Sequence, residues 1–124
     1  MERWAALTIG SAAGGWARYL LASRLYAFTG TAFPWGTFAV NLSSCLLIGL
    51  FDSWTGARAV LSPEARLLLM TGFCGAYSTF STLLLETSNL MADGQWARGL
   101  ANYFASGLLG LLLLRAGAAL GKAL

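Results

Sequence analysis

The chain contains no histidine, only two cysteines and two prolines, and few charges of either sign. Each scarcity excludes something. Without histidine there are no imidazole metal ligands and no imidazole proton relays. Cys45 and Cys74 lie inside apolar runs with no companion ligands. They read as buried thiols behaving as small hydrophobes rather than as a metal site or a disulfide. Charged residues are 10% of the chain, against about 25% in a typical soluble domain. Phosphate-binding loops, dinucleotide fingerprints and metalloprotease motifs are missing, and no catalytic constellation is present. The expectation is a non-enzyme that is not driven by a nucleotide it binds itself.

What is present points to a bilayer: 57% of the 124 residues are hydrophobic, and the mean hydropathy is +0.65. Residues 1–124 form a single domain too short for a separate soluble module. The formal net charge is +3, which suits anions or anionic lipid. The basic residues are scattered rather than clustered, which argues against nucleic acid.

Four apolar stretches emerge in order. The first runs from Trp4 to about Ala27 and is interrupted by Arg18 and Arg24. Arg3 followed by Ser11-Ala12-Ala13 raises the reading of a signal peptide, but apolar character continues through Trp16, Tyr19, Leu20 and Leu21, so it reads as a membrane span. Gly10, Gly14 and Gly15 offer close helix contacts. Arg18 either snorkels or lines an aqueous vestibule. A connector over Phe28 to Phe33, with Gly30 and Pro34, leads to a second span from Trp35 to Phe51. There Thr37, Asn41 and Ser44 recur at i, i+4 and i+7 and form one stripe on a helix. The Asn41 amide offers donors and an acceptor within the bilayer, either for function or as glue between helices.

Asp52 to Arg66, with Asp52, Arg58, Glu64, Gly56 and Pro63, reads as a solvent-facing loop, and Ser62-Pro63-Glu64 as the cap of a third span ending near Met91. Asp93-Gly94 makes a turn. The last span, from Trp96 to about Leu120, carries Asn102, Tyr103 and Ser106. Gly107, Gly110, Gly117 and Gly121 give it a small-residue surface, and Arg115 and Lys122 anchor its far end.

The third span is organised around Gly72-Phe73-Cys74-Gly75-Ala76-Tyr77-Ser78-Thr79-Phe80-Ser81-Thr82. As an unbroken helix it would gather Gly75, Ser78, Thr79, Thr82 and Glu86 on one face, with Phe80 pointing away. Gly72 and Gly75 lower the cost of a local break, and backbone freed at membrane depth must find partners. An ion-handling element and a glycine–serine packing face are both consistent with this stretch. Glu86 is either a solvated helix-end carboxylate or a vestibule-lining one.

Four spans place the termini and the middle loop on one side. That side holds Arg3, Arg58, Arg66 and Lys122, while the other holds Arg24 and Arg98. The bias is small, so orientation is weakly specified. Four helices can hardly enclose a pathway alone. A two-fold dimer is therefore expected, and weak orientation bias permits an antiparallel one.

Three motifs in order now carry a resemblance: Gly14-Gly15-Trp16-Ala17-Arg18-Tyr19, Gly36-Thr37-Phe38-Ala39-Val40-Asn41, and Gly72 through Thr82. With Glu86 and the Tyr103/Ser106 pair, the chain resembles the Fluc (CrcB) fluoride channels over essentially its whole length. The resemblance implies an all-α membrane protein of four transmembrane helices, the third broken, assembled as a dual-topology antiparallel homodimer with two pores. It implies passive fluoride export through the cytoplasmic (inner) membrane, and thereby fluoride resistance. It further implies a structural sodium ion at the dimer interface, held by backbone carbonyls that map to Gly75 and Ser78, where the family usually has threonine at the second position. Carried-over pore residues are Asn41, Phe80, Tyr103 and Ser106. Thr37, Ser81, Thr82 and Glu86 form a polar track, and Arg18 lies near a vestibule. One departure is clear: a second pore phenylalanine is replaced by Leu83, which offers no polarised ring edge to an anion. The rival readings are a four-span proton-coupled multidrug exporter, for which Glu86 is the only embedded carboxylate candidate, and a non-transporting scaffold.

Overall fold

The computed structural model describes residues 1–56 and 60–124. Arg58, one of the cations counted for the middle connection, lies outside the described residues. Every regular element among the described residues is a helix, with no strand: α1 (Arg3–Thr29), α2 (Trp35–Gly56), α3 (Pro63–Arg66), a π-helical segment (Leu67–Cys74), α4 (Gly75–Tyr77), α5 (Phe80–Ala92) and α6 (Trp96–Ala123).

Among the described residues, three helices are long and apolar enough to cross a membrane: Trp35–Gly56, Pro63–Ala92 taken through its break, and Trp96–Ala123. At 27 residues α1 is also long enough, about 40 Å at 1.5 Å per residue. Arg18 and Arg24 make it less apolar, and it is not one of the three.

Local chemistry sets the ends of the helices. Gly30 at φ 72° closes α1, a left-handed conformation that a side chain would disfavour. Ser62 caps α3 by accepting from the Ala65 N–H at 3.1 Å, with Pro63 in the first turn. Gly94, at φ 79°, turns the chain between α5 and α6. The expected loop from Asp52 to Arg66 is shorter than its composition suggested. Asp52 through Gly56 continue α2, because nothing before Gly56 breaks the helix, and Pro63–Arg66 already begins the third.

Packing is backbone against backbone. α1 lies along the π-helical segment and α4, α2 along α6, and α5 on α6. A methyl at Gly10 would collide with the Leu68 carbonyl oxygen, and one at Gly14 with that of Phe73. Between α2 and α6 the arrangement is reciprocal: Gly49 sits on the Leu114 carbonyl and Gly117 on that of Leu46. Without a hydrophobic force between helices in lipid, such close approach supplies dispersion contact. Gly15 and Gly107 behave differently from this expectation, since a Cβ at either would meet nothing within 4 Å.

The third helix is broken, but not at its glycines. Over Leu67–Cys74 the turns widen, so that the Gly75 N–H reaches back five residues to the Met70 carbonyl as well as to Gly72. Gly75 itself is right-handed helical at φ −63°, ψ −36°. The break falls at Ser78 (φ −85°, ψ 162°) and Thr79 (φ −153°, ψ 114°), an extended backbone open to any residue. Gly72 serves packing instead, against Gly10, whose Cα lies 3.0 Å from where its Cβ would stand.

Candidate functional site

A broken helix exposes main-chain groups that need partners at membrane depth. The stripe on α2 supplies them. Asn41 Nδ2 donates to the Thr79 carbonyl at 3.1 Å, and Asn41 Oδ1 accepts from the Thr79 N–H at 2.7 Å. One side-chain amide thus satisfies both the N–H and the carbonyl of Thr79, which inside a helix would pair with two different residues. One turn along, Ser44 Oγ donates to the Cys74 carbonyl at 3.3 Å. That carbonyl also accepts from Ser78 N at 3.1 Å and Ser78 Oγ at 2.9 Å. Thr79 then caps α5: its Oγ1 accepts from Thr82 N at 3.4 Å and donates to Thr82 Oγ1 at 3.0 Å.

These bonds have a consequence for two carbonyls. The N–H groups that would close α-helical bonds onto Gly75 and Ser78 are those of Thr79 and Thr82. Both are turned instead to Asn41 Oδ1 and Thr79 Oγ1. The face predicted for an unbroken helix is therefore divided, with Gly75 and Ser78 before the break and Thr82 and Glu86 beyond it.

The third member of the stripe meets Glu86. Thr37 Oγ1 donates to Glu86 Oε1 at 2.7 Å, and the Tyr26 hydroxyl donates to the same oxygen at 3.3 Å. The Tyr26 oxygen also accepts from Thr37 N at 3.4 Å and lies 3.3 Å from Thr37 Oγ1. Glu86 Oε2 is buried without a protein partner. Glu86 is thus held between α1 and α2 rather than solvated at a helix end.

Three hollows adjoin along this line. The first, about 560 Å³, is lined among others by Asn41, Phe80, Leu83, Tyr103 and Ser106, and by Thr79. Thr79 also lines the second, about 390 Å³, with Arg18, Tyr26, Thr37, Thr82 and Glu86. Tyr26 and Glu86 in turn line the third, about 360 Å³, which extends past Asn89 to Asp93 and Gln95. Arg18 and Glu86 share the second hollow without forming an ion pair. Ser81 is exposed and lines none of the three.

The first hollow is the most apolar in character of the three. Phe80 is 66% exposed and Tyr103 41%, whereas Leu83 is only 7% exposed and forms its inner wall. Cys45 also lines it, and both cysteines carry free thiols. Ser106 is buried there with its hydroxyl unpartnered. Asn102, one turn before it on α6 and 1% exposed, donates to Thr87 Oγ1 at 3.0 Å, which ties α6 to α5.

Among the described residues, no three His, Cys, Asp or Glu side chains converge as a metal site. The break brings together main-chain carbonyls with the side-chain oxygens of Asn41, Ser78, Thr79 and Thr82. Sequence reasoning singled out Thr37, Asn41, Ser44 and Glu86, which the structure brings together along the third helix. It passed over Tyr26, whose eleven-residue separation from Thr37 spans a connector and follows no helical period.

Fold and site define an all-helical membrane protein whose polar stripe supports a break in the third helix. Residues 5–118 match the family described as CrcB-like protein, Camphor Resistance (CrcB), and the chain belongs to that family. Among its relatives is a protein of Chlorobaculum tepidum, 49% identical over 114 residues, 91% of this chain and 89% of the relative. A protein of Maridesulfovibrio salexigens is 41% identical over 122 residues, covering 98% of this chain and 97% of its own length. One from Chlorobium phaeobacteroides is 43% identical over 124 residues, covering 98% and 96%. All three bear the name Fluoride-specific ion channel FluC. The family resemblance read from the three motifs is thereby established.

Proposed function

We propose that this chain is a fluoride-selective ion channel, not an enzyme, that lets fluoride leave the cytoplasm passively through the inner membrane. The observation that carries the reading is the succession of neighbouring hollows that share Thr79 and then Tyr26 and Glu86 as lining residues, in a chain whose relatives bear the name of fluoride channels. Names of those relatives give no support to the exporter reading.

The chemistry suits the ion. Fluoride is small and strongly hydrated, so a pore must replace its water with donors without binding it too deeply. Asn41 keeps a second N–H beyond the one given to Thr79, Ser106 offers an unengaged hydroxyl, and Phe80 a ring edge with partial positive charge. Tyr103, Thr37, Thr82 and Ser81 extend the hydroxyl set, and Arg18 attracts anions at the second hollow. None of the donors in the first hollow is a fixed cation that would trap the ion. Leu83 fills volume and keeps that wall dry.

The exposure of Phe80 and Tyr103 on the first hollow supports completion by a second copy. In this reading α1 joins the three apolar helices as a fourth span, and two chains associate antiparallel with two pores. The diverted N–H groups leave the Gly75 and Ser78 carbonyls fitted to a hard cation. Sodium bound there at the dimer interface would supply a fixed positive charge near the anion paths. The test of the function is fluoride efflux from liposomes carrying the purified protein, compared with chloride.

A further inference from the structure

Resting on the channel reading, we infer that Tyr26 is a positioning residue that holds the Glu86 carboxylate against the wall between the second and third hollows, so that its charge stays out of the anion path.

A carboxylate beside an anion route repels the ion unless it is held turned away from it. Here both available donors converge on one oxygen: Thr37 Oγ1 at 2.7 Å and the Tyr26 hydroxyl at 3.3 Å, both on Oε1. The Tyr26 oxygen is itself oriented by accepting from the Thr37 main-chain N–H at 3.4 Å. Tyr26 comes from α1, Thr37 from α2 and Glu86 from α5, so the clamp ties three helices at one point. Tyr26 and Glu86 are the two residues common to the second and third hollows. What happens to the carboxylate there decides what an ion meets between them.

Fixing the ring is the work of Gly36. A Cβ at Gly36 would lie 2.5 Å from Tyr26 Cε2, so the ring packs on bare backbone one residue before Thr37. The hydroxyl is delivered to Glu86 by that contact. Removing it frees the carboxylate to turn into the second hollow, either bare or drawn toward Arg18 across it. Both outcomes oppose anion passage, and both require the negative charge.

That requirement separates positioning from mere structural support. Tyr26→Phe keeps the ring on Gly36 and removes only the hydroxyl. Initial fluoride efflux from liposomes should fall about fivefold, as for loss of one long charge-assisted hydrogen bond. In a Glu86→Gln background the same Tyr26→Phe change should alter efflux by less than about twofold, because no charge remains to be misplaced. Thr37→Val, which removes the shorter donor with little change of shape, should show the same dependence on Glu86 and more strongly. Thr37→Val thus keeps the test open if Tyr26→Phe fails to fold. An equal loss from Tyr26→Phe in both backgrounds would reduce Tyr26 to a packing role and overturn the inference. Unchanged efflux on Tyr26→Phe, with robust efflux from the parent, would overturn it and leave the channel reading standing. Absence of fluoride efflux from the parent would overturn both.

Discussion

Replacing Asn41 with Asp perturbs the break and the anion path by one atom. The Thr79 N–H bond to Oδ1, 2.7 Å in the native protein, is kept and becomes charge-assisted. The second bond is not. A carboxylate oxygen now stands where Nδ2 donated to the Thr79 carbonyl at 3.1 Å, so that two acceptors face each other. Losing the bond costs about 1 kcal/mol, and leaving a half-buried carbonyl opposed rather than paired costs about 1–2 kcal/mol more. Destabilisation of about 2–3 kcal/mol is expected, or roughly a hundredfold in the folding equilibrium.

The effect on fluoride is larger. Two unit negative charges 4 Å apart at an effective dielectric of about 20 repel by about 4 kcal/mol, on the order of a thousandfold in rate. Efflux by Asn41→Asp should therefore fall below detection while the assembled protein is still recovered. Asn41→Leu separates the two effects. It adds no charge but removes both bonds and orphans the Thr79 N–H, for about 3 kcal/mol of destabilisation. Thermal unfolding in detergent and efflux from liposomes provide the two measurements. Near-parental stability together with near-parental efflux for Asn41→Asp would refute both its bond to Thr79 and its place on the ion path.

Three further outcomes are expected. Reporters fused to the C-terminus should signal from both sides of the membrane, since the cations assigned to a side favour one only by four to two; a single-sided result would contradict dual topology. Leu83→Phe should change fluoride efflux by no more than about fivefold, because one ring-edge contact is worth on the order of 1 kcal/mol, and a gain beyond about a hundredfold would mean the missing ring is essential. Gly14→Ala should lower the unfolding temperature by an amount equivalent to about 1–3 kcal/mol through its clash with the Phe73 carbonyl, whereas Gly15→Ala should not, and equal effects would refute the close α1 packing.

Much of this was legible in residue types. The hydroxyl run at Ser78–Thr82 after Gly72 and Gly75 singled out the third helix, the family resemblance implied that it is broken, and the stripe of Thr37, Asn41 and Ser44 stood out on the second without showing what it contacts. The position of the break was not legible, because Gly72 is taken up by packing against Gly10 and Gly75 stays in a right-handed helical conformation. Ser78 and Thr79 take ordinary extended angles once Asn41 replaces their helical partners. Sequence periodicity captures neighbours along one helix, which is why Glu86 was found but its clamp was not. Tyr26 reaches Glu86 across sixty residues of chain through tertiary packing alone. Charge composition likewise misplaced the end of α2, because Asp52 at a helix end looks like a loop residue when read without its neighbours.

The central claim is that the line of hollows through Thr79, Tyr26 and Glu86 conducts fluoride. Purified protein reconstituted into liposomes loaded with potassium fluoride, with a potassium ionophore to relieve the charge imbalance, tests it with a fluoride electrode. Rapid fluoride release is expected, with chloride-loaded liposomes of the same preparation releasing little over the same interval. Equal release of both ions, or no release of fluoride from protein shown to be folded and assembled, would contradict the account.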